Sequence, residues 1–188
     1  IKYFTKEICY IKDESKKRDI EYLINLLPDY FFLIPASSTG KYHPKFASTN
    51  NGLVKHTKVA VRLAYDLFET VNNFSDNDKD LIIMALVMHD GLKKGIKEEE
   101  YTRFDHPILM ADYLMDCEEE LGLEVEEIEF LGDVIKTHMG VWTTDYNGNE
   151  VLEKPKTKYQ NFVHMCDYLA SRKCLLVPFD KDNKISVE

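Results

Sequence analysis

The sequence predicts an all-α fold, a helical bundle that carries a small β-hairpin flap. Apolar residues recur at helical spacing along most of the chain, and Leu81 to Met88 is an unbroken apolar run of the kind a central, enclosed helix carries. Asn147-Gly148, between two semi-alternating runs, supplies the hairpin turn.

The first eleven residues, IKYFTKEICYI, fit a strand or a helix equally, whereas Lys16 to Leu27 reads as a helix closed by Pro28. Phe31 to Asn51 reads as a long loop punctuated by Pro35, Gly40 and Pro44; loops of that length in compact domains often carry function. Asn50-Asn51-Gly52 starts a helix whose apolar stripe is Leu53, Val59, Ala60, Leu63, Ala64 and Leu67. Ser75 to Asp78 offers capping side chains to the central helix, which Gly91 and Gly95 terminate. Pro107 suits the first turn of a helix from His106 to Cys117, and Val125 to His138 forms another that stops at Gly140. The flap would span residues 141–155, a final helix Tyr159 to Lys173, and residues 175–188 read as an extended tail.

A length of 188 residues suits one well-buried domain over residues 1–188, with its core at about Pro35 to Lys173. The longest apolar run is far shorter than the roughly 20 residues needed to cross a bilayer, and no amino-terminal signal pattern is present. A cytoplasmic protein with no membrane partner is therefore expected. Cys9, Cys117, Cys166 and Cys174 contain no C-x-x-C pair and read as reduced thiols. Cys166 adjoins Asp167, but adjacent helical residues diverge by about 100°, so core packing is expected of it.

A net charge of −9 disfavours strong non-specific nucleic-acid binding. The charge is unevenly spread. Tyr30 to Tyr65 contains no Asp or Glu but holds Lys41, Lys45, Lys55, Lys58 and Arg62, while acids crowd the stretch from Asp116 to Glu129. These read either as a positive entrance for an anionic substrate and a repelling face, or as ordinary surface composition.

The most informative pattern is the order His56, His89-Asp90, His106, His138, Asp167, with each position on or at the end of an expected helix. Histidine and carboxylate ligands projecting from several packed helices suit transition metals held in a bundle core. His89 and Asp90 would diverge inside a helix, yet they can converge where the helix ends.

The order H…HD…D resembles the signature of the HD-domain superfamily of metal-dependent phosphohydrolases, and His106 and His138 match its two-metal members. PASSTGKYHPKFASTNNGLVKHT followed by HDGLKKG is similar to the HD domain of YhaM-type 3′-to-5′ exoribonucleases and to small phage-encoded HD proteins. The resemblance implies an HD-domain helical bundle and two divalent metal ions drawn from Mn, Fe, Mg, Ni or Zn. His56, His89, Asp90 and Asp167 would hold the first ion, and Asp90 would bridge to a second held by His106 and His138. The implied activity is that of a phosphohydrolase or phosphodiesterase, which cleaves a phosphoester in a nucleotide or short oligonucleotide through a metal-bridging hydroxide. Asp90 and Lys93 are then the expected catalytic pair, with Lys93 of the HDxxK pattern on a non-bridging phosphate oxygen. Lys94 is the neighbouring alternative, and both lysines also fit as solvated residues at a helix end.

Substrate contacts are expected from Lys41, His43, Lys94, Trp142 and Tyr146, with Tyr42 as a further aromatic. The rings could stack a nucleobase or bury the flap. His164, one turn before Asp167, fits either an orienting role on that carboxylate or a plain packing hydrogen bond. Arg103 is a weaker phosphate candidate. The chain lacks an HDxxED pattern, which lowers alarmone hydrolysis, and has no evident oligonucleotide-binding barrel, which favours a small nucleotide over long RNA. Alternatives are a di-iron HD-fold oxygenase and a non-catalytic nucleotide-binding regulator.

Overall fold

In the computed structural model, residues 2–37, 43–71 and 73–186 are described. Lys41, Tyr42 and most of the Ser37 to Lys41 run lie outside them. Seven α-helices form among the described residues: α1 (Thr5–Ile8), α2 (Glu14–Leu26), α3 (Gly52–Leu67), α4 (Asp76–Met88), α5 (His106–Asp116), α6 (Val125–Lys136) and α7 (Lys158–Ala170). The ambiguous first segment thus resolves to a single helical turn. Local side chains set the starts of the longer helices. Asp13 accepts from the amides of Ser15 and Lys16 at the head of α2, and Ser75 with Asp78 and Thr157 with Gln160 form capping boxes at α4 and α7.

Every residue of α4 from Asp80 to Met88 is buried, as its all-round apolarity requires. Helices α2, α3, α6 and α7 pack against it, and α5 packs on α6. One continuous core runs from Phe4 to Ala170 through this central helix. The buried Asp80 contributes an anchor rather than apolar contact. Its carboxylate accepts from the amides of Lys12 and Asp13, both at 2.9 Å, and so ties the entry to α2 onto α4.

A short 3-10 turn, Asp29–Phe32, leads into the long loop, which contains a second, Lys45–Ser48. Asn51 at the head of α3 is left-handed, φ 58°, a conformation Asn tolerates, and its side chain donates to the Phe32 carbonyl instead of capping the helix. The expected hairpin flap is reduced to one antiparallel bridge, Thr144 to Glu150. Around it the Asp145 carboxylate accepts from the amides of Asn147 and Asn149, the Asp145 amide donates to the Asn149 carbonyl at 2.8 Å, and the Val151 amide donates to the Thr143 carbonyl at 2.9 Å. Asp180 repeats the device with Asp182 and Lys184, and the tail folds back through a Phe179–Ile185 bridge, with Phe179 against Phe46.

Two members of the lysine-rich stretch are paired with acids. Lys58 is buried 3.6 Å from Glu7 Oε2, and the Arg62 guanidinium is paired with Asp66. No helix among the described residues is long and apolar enough to cross a membrane.

Replacing the fully buried Ile82 by Ala should lower unfolding stability by about 2–5 kcal/mol. Ser75→Ala, which removes only a cap, should cost about 1 kcal/mol. Urea unfolding monitored by circular dichroism measures both; equal losses would show that α4 is not the centre of the core.

Candidate metal centre

Three of the four cluster histidines that donate from Nδ1 or approach a carboxylate sit at helix ends, where backbone groups lack intrahelical partners. His89 follows the last residue of α4, and its Nδ1 lies 2.7 Å from the Leu86 carbonyl. His138, two residues past α6, repeats the contact with Ile135 at 2.8 Å, and His106, the first residue of α5, with Arg103 at 2.6 Å. A carbonyl can only accept, so each Nδ1 carries the proton and donates, and each Nε2 is left as a lone pair. This bracing fixes both the tautomer and the ring direction, as a metal-binding imidazole requires.

The free nitrogens converge on the carboxylate of Asp90, whose side chain is only 3% exposed. Its two oxygens divide the cluster. Oδ1 faces His106 Nε2 at 3.0 Å and His138 Nε2 at 3.7 Å. Oδ2 faces His89 Nε2 at 3.5 Å and His56 Nε2 at 4.0 Å, and the Lys93 ammonium at 2.6 Å. Asp167 closes the second half, with Oδ1 at 2.8 Å from His56 Nε2 and 3.4 Å from His89 Nε2. All six sequence-predicted ligands and Lys93 therefore meet in one place.

Two triads have the geometry of a cation site: His56, His89 and Asp167, and His89, Asp90 and His138, with ligand atoms within 4.8 Å of one another in each. The donor set fits a divalent transition-metal ion. The Nε2 atoms of His89 and His106 are buried with no hydrogen-bond partner, although both lie near carboxylate oxygens. Lone pairs facing lone pairs in a dry interior repel unless a cation or a proton lies between them.

Electrostatics follow the same layout. Burial alone would raise the pKa of Asp90, but Lys93, His89 and His106 outweigh it and hold the carboxyl well below its usual range. Asp167 behaves alike, with burial opposed by its hydrogen bond to His56 and by the neighbouring His89. Burial would lower His89, yet the charges of Asp90 and Asp167 raise it. His138 is pushed down to about 3 by burial and by the neighbouring His89. His43 is also lowered to about 3, by burial and then by His56; its ring meets the His56 ring edge-on at 4.9 Å. His43 is thus in contact with the cluster through His56.

Other expected residues are placed differently. The Lys94 ammonium pairs with Glu98 rather than the cluster, and the Arg103 side chain pairs with Glu99 and Asp105. Trp142 stacks on Tyr168, while Tyr146 sits at the tip of the 145–149 turn, 96% exposed. His164 does not hydrogen-bond to Asp167; its Nδ1 lies 2.7 Å from the His138 carbonyl. Gly140, at φ 66°, faces the His164 ring so closely that a Cβ there would collide with it. Cys166 is buried with its thiol pKa raised to about 12 by desolvation, an inert core residue.

Sequence reasoning missed Tyr30. Its buried hydroxyl donates to the Gly95 carbonyl at 2.7 Å and accepts from the Lys94 amide at 3.1 Å, pinning the loop that presents Lys93. The Arg103 amide bonds the Lys93 carbonyl at 2.9 Å, while the Arg103 carbonyl braces His106. Pairings this remote leave no local sequence signal.

No protein-family model, curated protein or solved structure gave a significant match to this chain.

A divalent ion that binds only the folded chain should raise its melting temperature, by about 2.7 kcal/mol of stability at one hundred times Kd. Because a proton on His89 competes with a cation, the gain should be full above the raised His89 pKa and shrink as pH falls through it. Calorimetry of chelator-treated protein with Mn²⁺, Fe²⁺ or Zn²⁺ tests this; no shift and no bound metal at neutral pH would make the cluster a hydrogen-bond network alone.

Proposed function

We propose that this chain is a metal-dependent phosphohydrolase or phosphodiesterase that acts on a nucleotide or a short oligonucleotide. One observation carries the reading: a buried carboxylate, Asp90, shared between two sets of imidazoles and touched by a lysine. The order of these ligands in the chain, which resembles that of HD-domain phosphohydrolases, supports it further.

The chemistry supplied on metal binding is Lewis acidity toward a phosphoryl oxygen and an attacking water. His56, His89 and Asp167 would hold one ion and His106 and His138 a second, with Asp90 between the two groups of side chains. Lys93 takes a non-bridging phosphate oxygen and offsets the negative charge that grows there as the bond to the leaving group breaks. Tyr30 and Arg103 act through Lys93 and His106 as positioning residues, by holding the loop between them. The neutral His43 beside His56 offers a hydrogen bond to the substrate. Asp167, at 18% exposure, is far more accessible than Asp90, so substrate approaches from the α7 side. No serine or cysteine nucleophile is needed, in keeping with the inert Cys166.

Cleavage of nucleoside monophosphates, triphosphates, cyclic nucleotides and short oligonucleotides with Mn²⁺ tests the reading. Asp90→Ala should abolish turnover, and Lys93→Ala should lower kcat by about 10²–10³-fold, the scale of removing one preorganised donor. Comparable rates on a mononucleotide and an oligomer are expected. Activity on long RNA alone would overturn the small-substrate assignment, and no activity in a metal-loaded chain would overturn the reaction class.

A further inference from the structure

We propose that Trp142, Tyr168 and Arg172 form a base-stacking platform beside the metal centre, so that the chain selects nucleotides from among phosphoesters. The phosphate half of this assignment rests on the phosphoesterase reading above.

The platform is built on the two segments that carry His138 and Asp167. Trp142 lies four residues after His138, in a turn closed by hydrogen bonds from Gly140 to Thr137 and from the Trp142 amide to Met139. The His164 ring fixes this turn to α7 through the His138 carbonyl. Tyr168 directly follows Asp167, the most accessible of the carboxylate ligands. The indole and phenol rings stack at 5.9 Å with 23° between their planes, yet Trp142 remains 50% exposed. The Arg172 guanidinium carbon lies 3.8 Å from the Tyr168 ring centroid. It is held there by the Tyr168 carbonyl on Nε at 3.0 Å and by Ser171 Oγ on Nη2 at 2.6 Å.

Two features separate this arrangement from ordinary packing. A stack that served only to bury its turn would cover the indole, and half of this one faces solvent. Arg172 has no carboxylate partner among the described residues, in a chain with an excess of nine negative charges. A half-exposed indole stacked on a phenol ring that also carries a guanidinium with no carboxylate partner suits a flat, hydrogen-bonding base. Every nucleobase has such a face, so the platform discriminates base from no base more than one base from another. Tyr146 makes no ring contact among the described residues and is not part of it.

Trp142 is the only tryptophan in the chain, so its emission reports the platform directly. The full chain in Mn²⁺ is titrated with adenosine, AMP and ribose 5-phosphate. Adenosine and AMP should quench the emission and ribose 5-phosphate should not. By calorimetry, Trp142→Ala should reduce the preference for AMP over ribose 5-phosphate by about tenfold, with an unchanged melting temperature showing that it folds. Unchanged emission with adenosine and AMP, or an AMP preference that survives Trp142→Ala, would overturn the platform. Quenching by adenosine in a chain that cleaves no phosphoester leaves the platform standing and removes the phosphoesterase reading. Equal cleavage of AMP and ribose 5-phosphate without quenching does the reverse.

Discussion

The structure depends on the burial of one carboxylate. Asp90 stands at the end of the most enclosed helix of the bundle, and moving an ionised carboxylate out of water costs several kcal/mol unless it is paired and hydrogen-bonded. That cost dictates its surroundings. Lys93 supplies the compensating charge, one turn along in the loop that leaves α4, and imidazoles from α3, α5 and the end of α6 complete the shell. The helices must therefore meet at this point as well as bury their apolar stripes, which explains why α3, α6 and α7 all pack against α4.

Helix termination does two tasks at once here. The end of a helix leaves carbonyls without amide partners, and His89 and His138 each satisfy one of them three residues back with Nδ1. The same hydrogen bond aims Nε2 at Asp90. Stopping the helix and orienting the ligand are thus one event, and a longer α4 or α6 would lose the ring direction along with the turn. His56 is the exception: it sits inside α3, and its buried Nδ1 has no hydrogen-bond partner. Its ring is placed instead by the Asp167 carboxylate and by the edge of His43.

The helices were legible in the sequence because their signals are local. The Ser75 cap, the apolar run of α4, Pro107 at α5 and the Gly140 stop all act within a turn of where they stand. The six clustered His and Asp residues stood out for a different reason, their order along the chain. What was not legible is what depends on distant pairing. Lys58 reads as part of a positive stretch until Glu7 is found beside it, and nothing near Tyr30 foretells a hydroxyl lodged in the loop after Asp90. The Asn147-Gly148 signal marks a true turn, closed on the Asp145 carboxylate, and the strand pairing around it is the single Thr144–Glu150 bridge.

A cluster of this composition is a poor way to stabilise a fold. Well-packed apolar residues of similar volume are often neutral or more stable than buried charged networks, and the core around Asp90 is otherwise continuous and apolar. The Lys58–Glu7 pair provides an internal comparison. It is equally buried and also leaves Glu7 Oε2 without a hydrogen-bond partner, yet it is one acid and one base that neutralise each other. At Asp90 three of the four imidazoles, His89, His106 and His138, turn their proton-bearing nitrogens outward to backbone carbonyls and bare lone pairs inward, while His56 meets Asp167 through Nε2. A purely structural pairing would turn the N–H groups toward the carboxylates. The inverted orientation suits a cation, and it departs from the rule of satisfied burial at the place where the His and Asp side chains could hold one.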